Sequence, residues 1–264
     1  MRLFDTHTHL YLPEFDEDGG GDAAVRRAVA AGVEAMLMPN VDLTTIEPLR
    51  ALQAQHGERV FAAMGLHPTE VGPSWRDDVA QALEALRPGD VAIGEVGMDL
   101  YWDRTFRDEQ MQALEMQAQR AVELDLPLVI HCREALDETL EVLQGVRGCR
   151  GVMHSFGGTE KDVDDVRRAL GDDWFFGING IVTFKNCRVA DALPAITTER
   201  LLLETDSPYL APVPRRGKRN ESAYIVSTAA CVAAALGLPD ELLAEKTFRN
   251  AVEFLRVNDC FNNF

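Results

Sequence analysis

Eight short runs of apolar and β-branched residues recur along this chain, and their spacing constrains its fold more than any other feature. They lie at Leu3–Asp5, Val33–Met38, Val60–Gly65, Val91–Gly94, Leu128–Ile130, Gly151–Met153, Trp174–Ile178 and Leu201–Leu203, with successive starts 23 to 37 residues apart. That interval holds one strand and one returning helix. Helical signals fill most of the gaps. Asp22 precedes an Ala-rich segment stopped by Gly32, with Gly19-Gly20-Gly21 read as a loop ahead of it. Thr159 and Asp162 form a capping pair that opens a helix to Leu170, and Gly171 stops it. Asp108–Leu124 is rich in good helix formers. Pro239-Asp240 opens a last helix with Leu243, Phe248, Ala251 and Leu255 near one face.

Such alternation builds a parallel sheet with helices outside it. Eight repeats favour closure, so the expected fold class is α/β, a TIM-like (β/α)8 barrel. The 264 residues are close to the roughly 250 typical of that architecture. No GxGxxG follows the first strand, as an open dinucleotide-binding sheet would require. No Ser-, Pro- or Gly-rich linker divides the sequence, so residues 1–264 are expected to form a single domain.

Charge and cysteine usage exclude several functions. Lys and Arg number 26 against 43 Asp and Glu, a formal net charge of −17, which argues against coating nucleic acid through global charge. No run of about 18 apolar residues exists, so no membrane span is expected. The opening Met-Arg-Leu-Phe-Asp-Thr-His leaves no room for a secretory apolar region. Five scattered cysteines without a CxxC pair suggest neither a disulfide framework nor a Cys-ligated zinc site. A cytoplasmic location is the expectation.

Five of the six histidines (His7, His9, His67, His131, His154) come just after an expected strand; His56 does not. Glu95 and Asp206 also fall just beyond strand ends. In a closed α/β barrel all strand C-termini open on one face, where active sites are built. His7 and His9 are two apart and so point the same way on an extended chain, offering two imidazole nitrogens to one cation. Taken singly, the His7/His9 pair also fits a solvated turn, His131 and His154 satisfied buried positions, Glu95 an exposed loop and Asp206 a helix cap. Together, His7, His9, His131, His154, Glu95 and Asp206 read as a ligand set for two divalent cations, with Glu95 able to bridge. Two such ions clamp an oxyanion and acidify a water. Asp206 is the candidate proton acceptor, and Asp5 and Glu204 are candidates to orient the ligands from behind. Imidazole-rich sites favour Zn, Mn, Co or Ni; Mg remains open on abundance.

The sequence resembles the TatD family of metal-dependent hydrolases. The matching stretches are DTHTHL at Asp5–Leu10, GLHP at Gly65–Pro68, GEVGMD at Gly94–Asp99 and LPLVIHCRE at Leu126–Glu134. They continue with MHSFGG at Met153–Gly158, LLLETDSPYLAP at Leu201–Pro212 and RGKRNESAYI at Arg216–Ile225. The resemblance implies a TIM-like barrel, a dinuclear site and deoxyribonuclease or exonuclease activity on phosphodiesters. It implies His7, His9 and Asp206 on one metal, His131 and His154 on the second, and Glu95, also counted as catalytic, between them. His67 and Arg133 match substrate-side positions. Thr69 and Ser222 depart from the family pattern, where many members carry His and Pro.

The expected substrate is a DNA end or short single-stranded DNA, and no membrane or obligate protein partner is inferred. Arg215, Arg216, Lys218 and Arg219 form a basic run after the eighth strand, with Arg216, Lys218 and Arg219 expected to contact phosphate. Tyr101 and Trp102 fit either base stacking or loop anchoring. An amidohydrolase-like deacylase or esterase, acting on a carbonyl such as an aminoacyl ester, is the competing enzyme class; it needs the metals without the basic rim. A binding module with a structural metal is the third reading.

Overall fold

The computed structural model describes residues 1–261. Its strands are β1 (Leu3–Asp5), β2 (Val33–Pro39), β3 (Val60–Met64), β4 (Ala92–Asp99), β5 (Leu128–Arg133), β6 (Gly151–Met153), β7 (Phe175–Ile178) and β8 (Leu201–Leu203). They form one parallel sheet in sequence order. Backbone bonds just past the ladders bring β8 back to β1: Thr6 N–H donates to Leu203 O (3.1 Å), Asp206 N–H to His7 O (2.9 Å) and His9 N–H to Ser207 O (2.8 Å). The result is a TIM-like barrel.

The outer helices are α1 (Gly20–Ala30), α2 (Ile46–His56), α3 (Trp75–Glu84), α4 (Arg107–Glu123), α5 (Leu136–Gly145), α6 (Glu160–Leu170), α7 (Val189–Ile196) and α8 (Ile225–Leu236), followed by α9 (Asp240–Leu255). The expected capping pair is present on α6: the Thr159 side chain accepts from Asp162 N–H and Asp162 accepts from Thr159 N–H. Gly20 and Gly21, read as loop, instead lie inside α1, which starts ahead of Asp22. Packing outweighs their poor propensity, because Gly21 sits where a Cβ would lie 2.5 Å from Leu10 O. All five cysteines are free, and no single helix among the described residues is long and apolar enough to cross a membrane.

Phe4, Ala35, Leu37, Phe61, Ala63, Ala92, Val129, Val152, Phe175 and Leu202 supply at least one residue from every strand to a single cluster. Helix α9 joins that cluster through Phe248, Ala251, Val252, Phe254 and Leu255. This is the barrel lumen, filled with side chains in the manner of its class. Asn250 on α9 donates to Leu201 O at the start of β8, and Arg150, just before β6, donates to Phe254 O. Thus α9 stops the N-terminal end of the barrel, leaving the C-terminal end to build a site.

Two strands run past their apolar letters. The expected Val91–Gly94 extends through Asp99, and Leu128–Ile130 through Arg133, so Glu95 and His131 lie within strands rather than just beyond them. The cause is the pairing between them. Ile93 faces Leu128 and Val96 faces Ile130, which leaves one extra residue in β4, and the ladder then continues to Asp99 opposite Arg133. Close approach depends on Gly97: at φ +144°, an added Cβ would lie 1.9 Å from His131 O.

Buried Arg50 of α2 grips Asp90, just before β4, through both guanidinium Nη atoms (2.5 and 2.7 Å) and also donates to Ala85 O. Removing one partner strands a buried charge. Asp90→Ala is expected to lower unfolding free energy by about 3–5 kcal/mol. Urea titration checks this through a lower midpoint at unchanged slope.

Candidate metal centre

Asp5 fixes the start of the site. Its carboxylate is fully buried and accepts Thr205 N–H (2.9 Å), the Thr205 hydroxyl (2.6 Å) and, more weakly, His7 N–H (3.4 Å). It therefore pins the backbones that carry His7 and Asp206, and burial pushes its pKa up to about 7.

From that anchor the ligand candidates converge. His7 Nε2 and His9 Nε2 lie 3.0 Å apart, and Glu95 Oε2 lies 3.0 Å from the first and 3.6 Å from the second. Three nitrogen and oxygen donors in such a triangle surround a point about 2 Å from each, the bond length divalent zinc takes with imidazole and carboxylate. The other carboxylate oxygen, Oε1, lies 2.9 Å from His131 Nδ1 and 3.4 Å from both His154 Nε2 and His67 Nε2. Asp206 Oδ1 is nearly equidistant from the Nε2 atoms of His7, His9 and His154, at 3.9, 3.8 and 4.0 Å. The donor set fits divalent cations. His7, His9 and Glu95 make one possible trio, His67, Glu95 and His131 another, and His7, His154 and Glu204 a third.

Three of the imidazoles, those of His154, His131 and His9, are held from behind. His154 Nδ1 lies 3.0 Å from Glu204 Oε1, which also accepts Ser155 N–H at 2.6 Å. His131 Nε2 meets Asp99 Oδ2 at 2.9 Å. The Tyr11 hydroxyl donates to Pro39 O (2.5 Å) and lies 2.8 Å from His9 Nδ1. With its only proton committed, that hydroxyl accepts from His9 Nδ1–H and leaves Nε2 as a bare donor atom. Asp99 and Tyr11 were not singled out from the sequence. Both had a signal: Asp99 follows Glu95 by four residues on one strand, and Tyr11 follows His9 by two.

The charges of the site are set by burial and mutual pairing. Burial works to raise Glu95, but His7, His67, His154 and His131 override it and hold the carboxyl well below the usual range. Burial pushes His9 down to about 4 and His7 well down. It opposes charge on His154 too, but Glu204 and Glu95 outweigh it and push that imidazole up to about 10. Asp206 is pushed up to about 7, chiefly by burial.

These groups open into a cavity of about 1260 Å³ lined by His9, His67, Glu95, His131, Arg133, His154 and Asp206 among others. His67, expected on the substrate side, stands among the donors themselves, aimed by its backbone bond to Val41 O. Arg133 is at the rim, stacked on Tyr101. The basic run is not brought in: Arg216, Lys218 and Arg219 are absent from the cavity wall. Arg219 is held elsewhere by Asp18 (2.8 Å), Glu14 O and Glu221, and Arg216 lies over Phe184. Nearby carboxylates have claimed the one, and an aromatic face the other.

A family model described as "TatD related DNase" matches residues 4–256. The chain belongs to the TatD family. It is a metal-dependent hydrolase of that family, and its fold is the family's. A relative from Bacillus subtilis, named an uncharacterized metal-dependent hydrolase, is 34% identical across 97% of this chain and 100% of its own length. One from Klebsiella pneumoniae, named a 3'-5' ssDNA/RNA exonuclease, is 36% identical across 94% of this chain and 95% of its own. A TatD homologue of Escherichia coli superposes with a TM-score of 0.85 at 26% identity, covering 97% of this chain and 98% of the other.

Two outcomes follow from the geometry. A cation held by these candidate ligands would need Asp206 ionised and His154 neutral with Nε2 bare. Affinity is therefore expected to rise with pH, by about tenfold per unit for each proton displaced, with the Asp206 contribution levelling off above about pH 7. Calorimetry with Mn or Zn from about pH 5 to 8 checks this, and Asp206→Asn is expected to reduce the slope by up to one proton below about pH 7 and by little above it. An alanine Cβ at Gly177 would lie 2.1 Å from Glu204 Oε2. Gly177→Ala therefore displaces the carboxylate behind His154, with an expected loss of about 10–100-fold in metal affinity.

Proposed function

We propose that this chain is a two-cation phosphodiesterase that trims the ends of single-stranded nucleic acid. The observation that carries this reading is Glu95, whose two oxygens face two different groups of imidazoles. His7 and His9 on one side of it, and His131 and His154 on the other, would hold one divalent ion each, with Asp206 facing both groups. Bound there, the ions supply positive charge against a phosphoryl oxygen and lower the pKa of water. Asp206 accepts the proton of the attacking water at its carboxylate, since its side chain is the partly exposed acid of the site. The water oxygen bonds phosphorus as the bond to the leaving sugar oxygen breaks, and that oxygen takes up a proton. Glu204, Asp5 and Asp99 keep His154, His7 and His131 in place, and Arg133 meets the phosphate from the rim.

The walls favour an end over an internal stretch. Besides Glu95 and Asp206, the cavity is lined by Glu70, Glu134, Asp137, Glu138, Asp162 and Asp165, whereas its cationic side chains are Arg133 and Lys161. Lys161 is itself paired with Asp165. A long run of phosphates is repelled by such walls, so a terminus with few phosphates is the form that reaches the ions. The curated relatives that carry an exonuclease name support the same substrate class.

The same walls favour a second reading, hydrolysis of an aminoacyl ester, whose ammonium group suits carboxylates and which needs no basic rim. Paired assays separate the two. A labelled single-stranded oligonucleotide with Mg, Mn, Co or Zn is expected to give a ladder shortened from one end, and an aminoacyl ester to remain intact. Asp206→Asn is expected to lower kcat by about 10²–10⁴-fold. Ester cleavage without a ladder overturns the nuclease assignment.

A further inference from the structure

Of the three tryptophans, Trp75 and Trp174 are buried, but Trp102 is 70% exposed. The large apolar side chains that stand exposed among the described residues include three aromatics, Tyr101, Trp102 and Tyr209. All three follow C-terminal strand ends, and Trp102 and Tyr209 line the cavity itself. Leaving an indole in water forfeits a large burial gain, and aromatics clustered at one mouth mark a binding surface.

The Trp102 segment is tied down by hydrogen bonds. Asp99 Oδ1 accepts both Tyr101 N–H (3.0 Å) and Trp102 N–H (3.3 Å), and Asp103 accepts Thr105 N–H and its hydroxyl. Leu100 N–H donates to Arg133 O, and Arg104 donates back to Leu100 O. The Arg133 guanidinium lies 3.7 Å from the Tyr101 ring centroid and 5.3 Å from that of Trp102. The rings of Tyr101 and Trp102 meet edge to face. One face of Tyr101 is thus occupied by Arg133, while Trp102 remains largely open to solvent. The other oxygen of Asp99 faces His131 at 2.9 Å, so a single carboxylate separates this segment from the donor cluster.

We propose that Trp102, braced by Tyr101 and Arg133, is a stacking subsite for the unpaired base beside the phosphate under attack, and that it selects single-stranded ends. The inference rests on the phosphodiesterase reading above. A flat π-surface adjoining a planar guanidinium matches a nucleotide, which offers a base to the ring and a phosphate to the fork. A base at the end of a duplex is stacked on its inner neighbour and paired along its edge, and leaving that arrangement costs stacking and pairing energy. An end whose base is free meets no such cost when it lies on Trp102 with its phosphate towards Glu95, so it is preferred. The subsite discriminates by strandedness rather than by base identity, since every base has a π-face.

The test compares a single-stranded oligonucleotide with the same strand carrying abasic residues at its cleaved end. Wild-type protein is expected to show a KM about tenfold lower for the intact strand. In Trp102→Ala that preference collapses towards one, and in Trp102→Phe most of it returns. An unchanged preference in Trp102→Ala overturns the subsite. Binding is read independently of turnover from tryptophan fluorescence, titrated with a short phosphorothioate-linked strand that resists cleavage. Quenching in wild type that vanishes in Trp102→Phe is expected, since the other two tryptophans are buried. Quenching that persists in Trp102→Phe, or is absent from wild type, overturns the subsite. Wild-type quenching without cleavage of any strand would instead overturn the phosphodiesterase reading and leave the stacking subsite standing.

Discussion

A carboxylate enclosed by imidazoles sets the terms for this molecule. Glu95 is almost fully buried, and a bare charge in that position would cost several kcal/mol without partners. His7, His67, His131 and His154 supply them, each from a different strand or strand-end loop. The barrel is what makes this possible, because it delivers residues 7 and 206 to the same few ångströms. The extra residue in β4 turns Glu95 to the meeting point, and Gly97 lets β4 lie against β5 closely enough for His131 to reach it.

Much of this was legible in the letters. Leu3–Asp5, Gly151–Met153 and Leu201–Leu203 coincide with β1, β6 and β8, because short buried parallel strands read as uninterrupted apolar runs. The strand–helix rhythm then placed the histidines together without any contact being visible. What was illegible depended on pairing across strands. Nothing local in Gly94-Glu95-Val96-Gly97 says that β4 continues to Asp99; only the partner strand decides it. Nor does a run such as Arg216–Arg219 say whether acids elsewhere have claimed it. Asp18 and Glu221 did so for Arg219, by tertiary proximity that composition cannot register.

The strongly negative sequence and an anionic substrate class are reconciled by position. Overall charge sums every surface carboxylate, whereas a phosphate at the mouth senses mainly what lies within a Debye length, about 8 Å at physiological salt. There, on the proposed function, cations held by the imidazoles would join Arg133 in supplying attraction, and the surrounding acids would restrict how much anion can follow. On the same reading, acidity would thus act as a filter on substrate length.

The α9 helix has a consequence for traffic. With Phe248 and Phe254 corking the far end of the cylinder, the lumen is no tunnel, and whatever comes in must back out through the same doorway. A polymer cannot be threaded through such a dead end. On the proposed function, each cycle would have to clear its severed fragment past the remaining strand before the next bite, so the architecture itself would impose pausing between cuts.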